Sequence, residues 1–319
     1  MHLISAVNRT MILFAAVLTM SLLWGFFHIP GANLLIVVFT SLSAALLTDI
    51  ASFRRRLGMA LILAFYASAA QFIVALTINF PALQIFLSTI FTYIVFATLP
   101  DFRAGCIVII TGCLAFFAPP GFRFAADRSI ALFTGALVIT AITAICHTDN
   151  SNDKPDCSCT NKRSLILAAE FGTGNLLFHL LQLKQGAWIM LTIMFITMST
   201  TPQTTEQKRA LQRIFAVPLG IITGGFLLET FFRMDYRFVY LVPIIGTAGF
   251  FILYNYGNFF LFSIFFMVTM TVFSDWMAGT YHRFNFWDTF FSRSVSSLIG
   301  ALIVLAAEYS SQRRERITL

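Results

Sequence analysis

The sequence predicts an all-α membrane protein with about twelve transmembrane helices, arranged as two parallel six-helix repeats with both termini in the cytoplasm. Three observations predict this: an apolar composition with few charges, a series of apolar segments of membrane-spanning length, and a correspondence between the two halves. Hydrophobic residues make up 58% of the 319 residues and charged residues 11%, whereas soluble domains carry about 45–50% and roughly 25%. This composition argues against a soluble enzyme, a disordered chain and a nucleic-acid-binding module.

The apolar segments are the predicted membrane spans. A transmembrane helix needs about 20 mainly apolar residues, and about twelve segments approach that length. Their approximate limits are 10–27, 33–50, 57–78, 81–99, 104–118, 129–146, 164–183, 187–200, 211–231, 237–254, 258–276 and 288–309. The fifth and eighth are short, so we expect them to be tilted, kinked or extended by flanking residues. The loops between the spans are too short for a further folded domain.

The basic residues predict the orientation of the chain. If the N-terminus lies on side one, that side receives 14 of the 21 lysines and arginines, and the other side receives 7. Because basic residues collect in cytoplasmic loops, this distribution places both termini in the cytoplasm. The polar stretch 147–163 is then a cytoplasmic linker between a first repeat, 1–146, and a second repeat, 164–319. The net charge of +7 belongs to these loops and does not indicate nucleic-acid binding.

Short motifs recur in the same order in the two halves. They are RTMILFA at 9–15 and RSLILAA at 163–169, Gly-Ala at 31–32 and 186–187, and Gly-Ala-Leu at 135–137 and 300–302. An even number of spans in each half gives the halves the same orientation in the membrane. Parallel repeats of this kind are typical of transporters, in which the substrate path lies at the interface between the repeats.

One acidic residue falls inside a predicted span. Glu170 lies in the seventh span, and an acid at membrane depth is a candidate proton carrier, although it can also be a structural ion-pair partner. Asn175 follows in the stretch FGTGN, next to Gly172 and Gly174. This stretch is either locally unwound, exposing polar backbone groups as in discontinuous transporter helices, or a site of close helix packing.

Three arginines near span starts share a pattern, since each has a glycine seven residues later on the same helix face. They are Arg128 with Gly135, Arg213 with Gly220 and Arg293 with Gly300. A guanidinium group can bind a carboxylate through two parallel hydrogen bonds, so we interpret these arginines as binding groups for an anionic substrate. The alternative is that their side chains extend to lipid phosphates.

The sequence lacks the motifs of several classes of enzyme. The sequence contains no phosphate-binding loop ending in Gly-Lys-Ser/Thr, no paired histidines of a metalloprotease and no Gly-x-Ser-x-Gly elbow in a hydrolase-like context. We therefore expect no ATP hydrolysis, no enzymatic activity and no cofactor. Cys157 and Cys159 have His147 as the only nearby candidate co-ligand, and we interpret them as loop cysteines rather than a metal site.

The second half resembles a known family. The stretch GAWIMLTIMFITMSTTPQ at 186–203, followed by QKRALQRIFAVPLGIITGG at 207–225, resembles the signature region of the fusaric acid resistance and aromatic acid exporter superfamily. The family pattern has Trp and Thr in one helix, a loop with Pro, and then Arg followed by glycines at helical spacing. The matching residues here are Trp188, Thr192, Pro202, Arg213, Gly220 and Gly224, with Ala216 where a glycine is usual. The chain resembles the short form without large cytoplasmic domains.

This resemblance implies a multi-pass efflux component of the bacterial inner membrane for aromatic or other hydrophobic organic acids, working with a periplasmic membrane-fusion adaptor. It implies substrate contacts at Trp188 and Thr192. Together with the residue patterns, we expect a proton-coupled exporter in which Glu170 carries the proton. Arg128, Arg213, Arg293 and Asn175 would bind the organic anion. We expect membrane lipids around the protein, and a homo-oligomer is left open as an alternative to a monomer.

Two alternatives remain open at this stage. The first is a passive organic-anion channel of similar architecture, since the plant malate channels are distant relatives of the family. The second is a non-transporting membrane assembly protein that docks the adaptor.

Overall fold

The computed structural model describes residues 39–40, 42–43, 46–47, 50, 52–117, 121–145, 160–183, 185–198, 205–234, 258–277 and 286–317. All regular secondary structure within these ranges is helical, which confirms the predicted fold class in its coarser form. The first and tenth predicted spans, and most of the linker 147–163 with Cys157 and Cys159, lie outside the described residues.

The described helices coincide with the predicted spans. They are α1 (Phe53–Thr77), α2 (Pro81–Thr98), α3 (Phe102–Cys113), which continues as a 3-10 turn (Leu114–Phe117), α4 (Phe122–Ile145), α5 (Asn161–Leu181), α6 (Ala187–Met198), α7 (Glu206–Met234), α8 (Phe259–Met277) and α9 (Phe286–Ile317). The two spans predicted to be short, the fifth and the eighth, are the 12-residue helices α3 and α6.

Length and composition identify six of the described helices as candidate membrane spans. These are α1, α2, α4, α5, and the parts Glu206–Thr230 of α7 and Trp287–Ser310 of α9, while α3, α6 and α8 include shorter apolar segments. The chain is therefore a membrane protein with several apolar helices. The predicted total of twelve spans and the parallel-repeat arrangement stay predictions.

The chain divides into two compact units. The N-terminal unit is Val7–Gly172, and the C-terminal unit is made mainly of Thr173–Leu319. The division falls inside α5, at the bond between Gly172 and Thr173. The predicted boundary between repeats in the linker 147–163 stays a prediction.

Within the N-terminal unit, α1 is the central described helix and packs mainly against α4 and α3. Its buried face consists largely of small residues, including Ala60, Ala64, Ala67 and Ala70. Small side chains let membrane helices approach closely, and a Cβ atom at Gly112 of α3 would lie 2.7 Å from the Cβ atom of Ala70.

Local signals explain where helices begin in this unit. Pro81 occupies the start of α2, where its missing N–H costs no helical hydrogen bond. The Asp101 carboxylate accepts a hydrogen bond of 2.7 Å from the backbone N–H of Arg103 at the start of α3, as a helix-capping residue does. The same carboxylate pairs with the Arg103 guanidinium at 2.8 Å.

Within the C-terminal unit, every side chain of α6 is buried. α9 packs against α6 and α7, and α7 packs closely against α8. Two glycines of α7 make the last contact possible, because a Cβ atom at Gly220 would lie 2.8 Å from the carbonyl oxygen of Ile264, and one at Gly224 would lie 3.2 Å from that of Val268. α6 is thus a completely buried helix.

The structure of α5 distinguishes between the two interpretations of the stretch FGTGN, local unwinding and close helix packing. α5 is helical without interruption from Asn161 to Leu181, so the locally unwound alternative is wrong. A Cβ atom at Gly172 would lie 2.6 Å from Oγ1 of Thr89. Close helix packing therefore explains this glycine in physical terms.

Candidate functional site

The three arginines singled out in the sequence are all buried. Arg128 on α4, Arg213 on α7 and Arg293 on α9 expose 5%, 0% and 3% of their surface. The alternative in which their side chains extend to lipid phosphates is therefore wrong for the described structure. An arginine enclosed by membrane helices is costly and is a candidate functional group.

Arg293 is held in a polar setting in the C-terminal unit. Its Nε donates to Oε1 of Gln185 at 2.5 Å, and its Nη1 donates to Oγ1 of Thr271 at 3.2 Å. The guanidinium carbon lies 5.2 Å from the ring centroid of Trp188, a distance at which a cation is attracted to an aromatic ring. The side chain thus links α9 to α8, to α6 and to the residue that precedes α6 by two positions.

Arg213 has a different environment in the same unit. Its guanidinium carbon lies 5.2 Å from the ring centroid of Phe195 and 5.5 Å from that of Phe266. Nη2 lies 3.9 Å from the thioether sulfur of Met267. Nε and Nη1 have no hydrogen-bond partner among the described residues.

Three aromatic side chains connect the surroundings of the two arginines. The ring centroids of Trp188 and Phe266 are 6.2 Å apart, and those of Phe266 and Phe195 are 4.4 Å apart. We call Trp188, Phe266 and Phe195 the aromatic row. Trp188 and Phe195 are seven residues apart on α6, which is about 10 Å along the helix axis. Arg293 contacts one end of this row and Arg213 contacts the other.

Thr192 lies between the two ends of the row on α6 and joins this helix to α9. Its Oγ1 donates a hydrogen bond of 3.1 Å to Oγ of Ser297, and Thr192 is fully buried. Its side chain also lies 3.0 Å from the position that a Cβ atom at Gly300 would occupy. Trp188 and Thr192, the residues implied by the family resemblance, therefore lie beside Arg293 in one packed region.

Arg128 belongs to the N-terminal unit and has an amide partner. Its Nη1 donates to Oε1 of Gln71 at 3.1 Å, and Nε2 of Gln71 donates to the carbonyl oxygen of Thr111 at 2.8 Å. Gln71 therefore has its acceptor and its donor engaged at the same time. The structure does not bring Arg128 together with Arg213 and Arg293 within one compact unit.

Glu170 and Asn175 are buried on α5, with 6% and 0% of their surface exposed. Glu170 is in the N-terminal unit, and Asn175 is in the C-terminal unit, because the division falls between them. Among the described side chains, the buried carboxylates are those of Glu170 and Asp101, and both belong to the N-terminal unit.

Sequence reasoning missed several residues of these regions. Gln71, Gln185, Phe195, Phe266 and Thr271 carry no signal in an apolar sequence of this kind, since their roles depend on which helices pack together. The sequence contains 37 phenylalanines, and nothing in it distinguishes the two that contact Arg213.

Arg56 was missed for another reason. It belongs to the run Arg54-Arg55-Arg56 at the start of α1, and a run of arginines at this position is typical of an exposed cytoplasmic loop. It is nevertheless buried, and its Nε and Nη1 donate to the carbonyl oxygens of Ile50 and Thr143 at 2.5 and 2.9 Å.

Groups of three or more histidine, cysteine or carboxylate side chains that could hold a metal ion do not occur within the described ranges. The two described cysteines, Cys106 and Cys113, are buried free thiols.

Comparison with known proteins gives one match. Residues 172–307 match the family model described as fusaric acid resistance protein-like. No curated protein and no solved structure matches the chain. The matched range begins in α5, ends in α9 and contains Trp188, Thr192, Arg213 and Arg293. Residues 172–307 of this membrane protein are therefore similar to the fusaric acid resistance protein-like family, and this similarity suggests a role of the membrane-transporter type.

Proposed function

We propose that the chain exports small aromatic or other hydrophobic organic acids across the bacterial inner membrane. The observation that carries this proposal is the fully buried Arg213, whose Nε and Nη1 have no hydrogen-bond partner among the described residues, in a unit whose described carboxylate side chains are all at least partly exposed. A buried charge costs several kcal/mol unless an opposite charge compensates it. An organic anion that binds at the Arg213 guanidinium group supplies this compensation.

The apolar surroundings support the choice of a hydrophobic acid. The aromatic row lies against both guanidinium groups, so an anion bound there contacts rings rather than water. A carboxylate attached to an apolar body satisfies both kinds of neighbour: the carboxylate accepts hydrogen bonds from a guanidinium, and the body packs against aromatic side chains.

Glu170 supports coupling to the proton gradient. Intramembrane carboxyl groups are characteristic of proton relays in transporters, and Glu170 is enclosed by membrane helices. In the proposed cycle, protonation of Glu170 alternates with binding of the organic anion. A periplasmic membrane-fusion adaptor, which the family resemblance implies, would receive the exported acid.

Flux through liposomes tests the proposed function. Liposomes that contain the purified chain and trapped radiolabelled benzoate should release the benzoate with saturable kinetics. This release should be faster than from liposomes without protein. Arg293→Met should reduce this flux by about tenfold or more, because it removes the positive charge while leaving an apolar side chain of similar length. Lys162→Met, which removes an exposed charge from α5, is the matched control and should leave the flux unchanged. Benzoate release no faster than from empty liposomes would refute the proposal.

A passive organic-anion channel is the second candidate, because buried arginines attract anions in a channel as well as in a transporter. Electrical recording separates the two. A channel passes anion current in a planar bilayer at equal pH on both sides, whereas a proton-coupled exporter moves benzoate against its own concentration gradient only when a pH gradient is imposed.

A further inference from the structure

Arg213 and Arg293 differ in how their N–H donors are engaged, and this difference separates their roles. Arg293 donates to the oxygens of Gln185 and Thr271, so neutral side chains already hold its guanidinium. Arg213 contacts two phenyl rings and a thioether and is fully buried, and its Nε and Nη1 have no partner among the described residues. A sulfur at 3.9 Å is a weak acceptor.

Contact with two phenyl rings leaves the Nε and Nη1 donors of Arg213 without a hydrogen-bond acceptor among the described residues. Cation–π contact uses the face of an aromatic ring, whereas the N–H groups of a guanidinium lie in its own plane and match the two oxygens of a carboxylate. The Nε and Nη1 donors of Arg213, which lack a hydrogen-bond partner among the described residues, are therefore suited to a carboxylate. The described part of the C-terminal unit offers no buried carboxylate of its own.

The charges close to Arg213 on its own helix cancel. Arg209 lies one turn earlier on α7 and is also buried, but its Nη2 lies 4.0 Å from Oε1 of Glu206. Glu206 is seven residues from Arg213, about 10 Å along the helix, which is too far for a direct ion pair with it. The described surroundings of Arg213 therefore hold one uncompensated positive charge.

We infer that Arg213 is the principal anion-binding side chain, and that its site accepts monocarboxylates with an apolar body and rejects dicarboxylates. This inference rests on the proposed function and names its substrate class. A monocarboxylate neutralises the single charge of the site. A dicarboxylate of the same shape brings a second negative charge among phenyl rings and a thioether, an apolar setting in which burying a charge is costly.

Two probes of nearly equal shape isolate the effect of charge. Terephthalate and 4-carbamoylbenzoate have the same ring and the same para geometry, but the first carries two carboxylates and the second carries one carboxylate and a neutral amide. Binding is measured on the full-length protein in detergent by ligand-dependent thermal stabilisation, which requires no transport. We expect 4-carbamoylbenzoate to bind at least about tenfold more tightly than terephthalate.

Variants assign the effect to Arg213. Arg213→Met should abolish the binding of 4-carbamoylbenzoate while keeping the fold, because an apolar side chain of similar length suits a buried position. Arg213→Lys should retain weaker binding with the same preference for one charge. Lys208→Gln removes the same formal charge from an exposed position on α7 and should change the affinity less than twofold, since solvent screens that charge.

Two results would overturn the inference: terephthalate binding as tightly as 4-carbamoylbenzoate, or Arg213→Met binding 4-carbamoylbenzoate like the unmodified protein. Absence of binding by the unmodified protein would overturn it as well. The proposed function fails separately, on the liposome flux, because a protein that binds 4-carbamoylbenzoate at Arg213 and releases no benzoate is a binding protein without export.

Discussion

The backbone carbonyl oxygen of Ile189 on α6 lies so close to Gly300 on α9 that a Cβ atom at position 300 would be 2.6 Å from it. This backbone contact adjoins Trp188 and the hydrogen bond between Thr192 and Ser297. It holds the helix that carries Trp188 against the helix that carries Arg293. The geometry of the cation–π pair in the C-terminal unit therefore depends on the absence of a side chain at position 300.

Gly300→Ala is expected to destabilise the protein by about 1–3 kcal/mol, because the new methyl group meets backbone that cannot move without shifting α6. Thermal unfolding in detergent measures the effect. Gly58→Ala is the matched control, since a Cβ atom at Gly58 of α1 has nothing within 4 Å. The control should be neutral or stabilising by up to about 1 kcal/mol, as alanine is the better helix former. Equal melting temperatures for the two variants would contradict the packing argument.

Trp188→Leu should reduce benzoate flux by about tenfold, because it removes the aromatic face beside Arg293; a desolvated cation–π contact contributes about 2 kcal/mol. Trp188→Tyr should retain part of the flux. Trp287→Leu supplies the control, since Trp287 lies on α9 and exposes 63% of its surface. Liposome flux under identical conditions compares the three variants. If Trp188→Leu and Trp287→Leu behave alike, the aromatic row does not contribute to binding.

Hydropathy was enough to predict the helices. Each predicted span that falls in the described part of the chain is a helix or contains one, because a membrane requires long apolar segments and satisfied backbone groups. The short spans were also predictable, since the lengths of their apolar runs appear directly in the sequence. The predicted boundary between repeats rests on polar composition, and the division between the compact units, which lies inside α5, carries no compositional signal of that kind.

The site was only partly predictable. Arg128, Arg213 and Arg293 stand out because charges are rare in such a sequence, and the structure buries all three. Their different environments could not be predicted, since Gln185 and Thr271 come to Arg293 from other parts of the chain, 108 and 22 residues away. The resemblance pointed to Trp188 and Thr192, but nothing in the sequence distinguished Phe195 or Phe266 from other phenylalanines.

In the N-terminal unit, Gln71→Leu should lower stability by about 1–3 kcal/mol. The leucine leaves the carbonyl oxygen of Thr111 without the amide donor that Gln71 supplies and deprives Arg128 of an acceptor. Gln71→Glu keeps an acceptor for Arg128 and adds an opposite charge, so its melting temperature should lie above that of Gln71→Leu. The reverse order in thermal unfolding would show that the contact with Arg128 does not govern stability at this position.

Glu170→Gln should abolish benzoate accumulation driven by a pH gradient while retaining exchange of benzoate against benzoate. The amide keeps the size and polarity of the side chain but cannot release a proton, so a loss confined to coupling identifies Glu170 as the proton carrier. Glu308→Gln, near the end of α9, removes a carboxylate that is not buried and should preserve coupling. If Glu170→Gln still accumulates benzoate under a pH gradient, Glu170 has no part in the coupling.

Glu206→Gln should weaken the discrimination against dicarboxylates. In the unmodified protein, Glu206 offsets the charge of Arg209, one turn from Arg213 on the same helix. Without that carboxylate, the charge of Arg209, which lies within about 6 Å of Arg213 on one helix face, is offset less, and the second carboxylate of terephthalate is attracted to it. The affinity ratio between 4-carbamoylbenzoate and terephthalate should therefore fall by about tenfold. Coulomb attraction between the second carboxylate and the charge of Arg209 accounts for an effect of this order in a partly buried site. Glu229→Gln, which removes an exposed carboxylate further along α7, should leave the ratio unchanged. A ratio that Glu206→Gln does not alter would mean that the number of compensated charges around Arg213 does not set the selectivity.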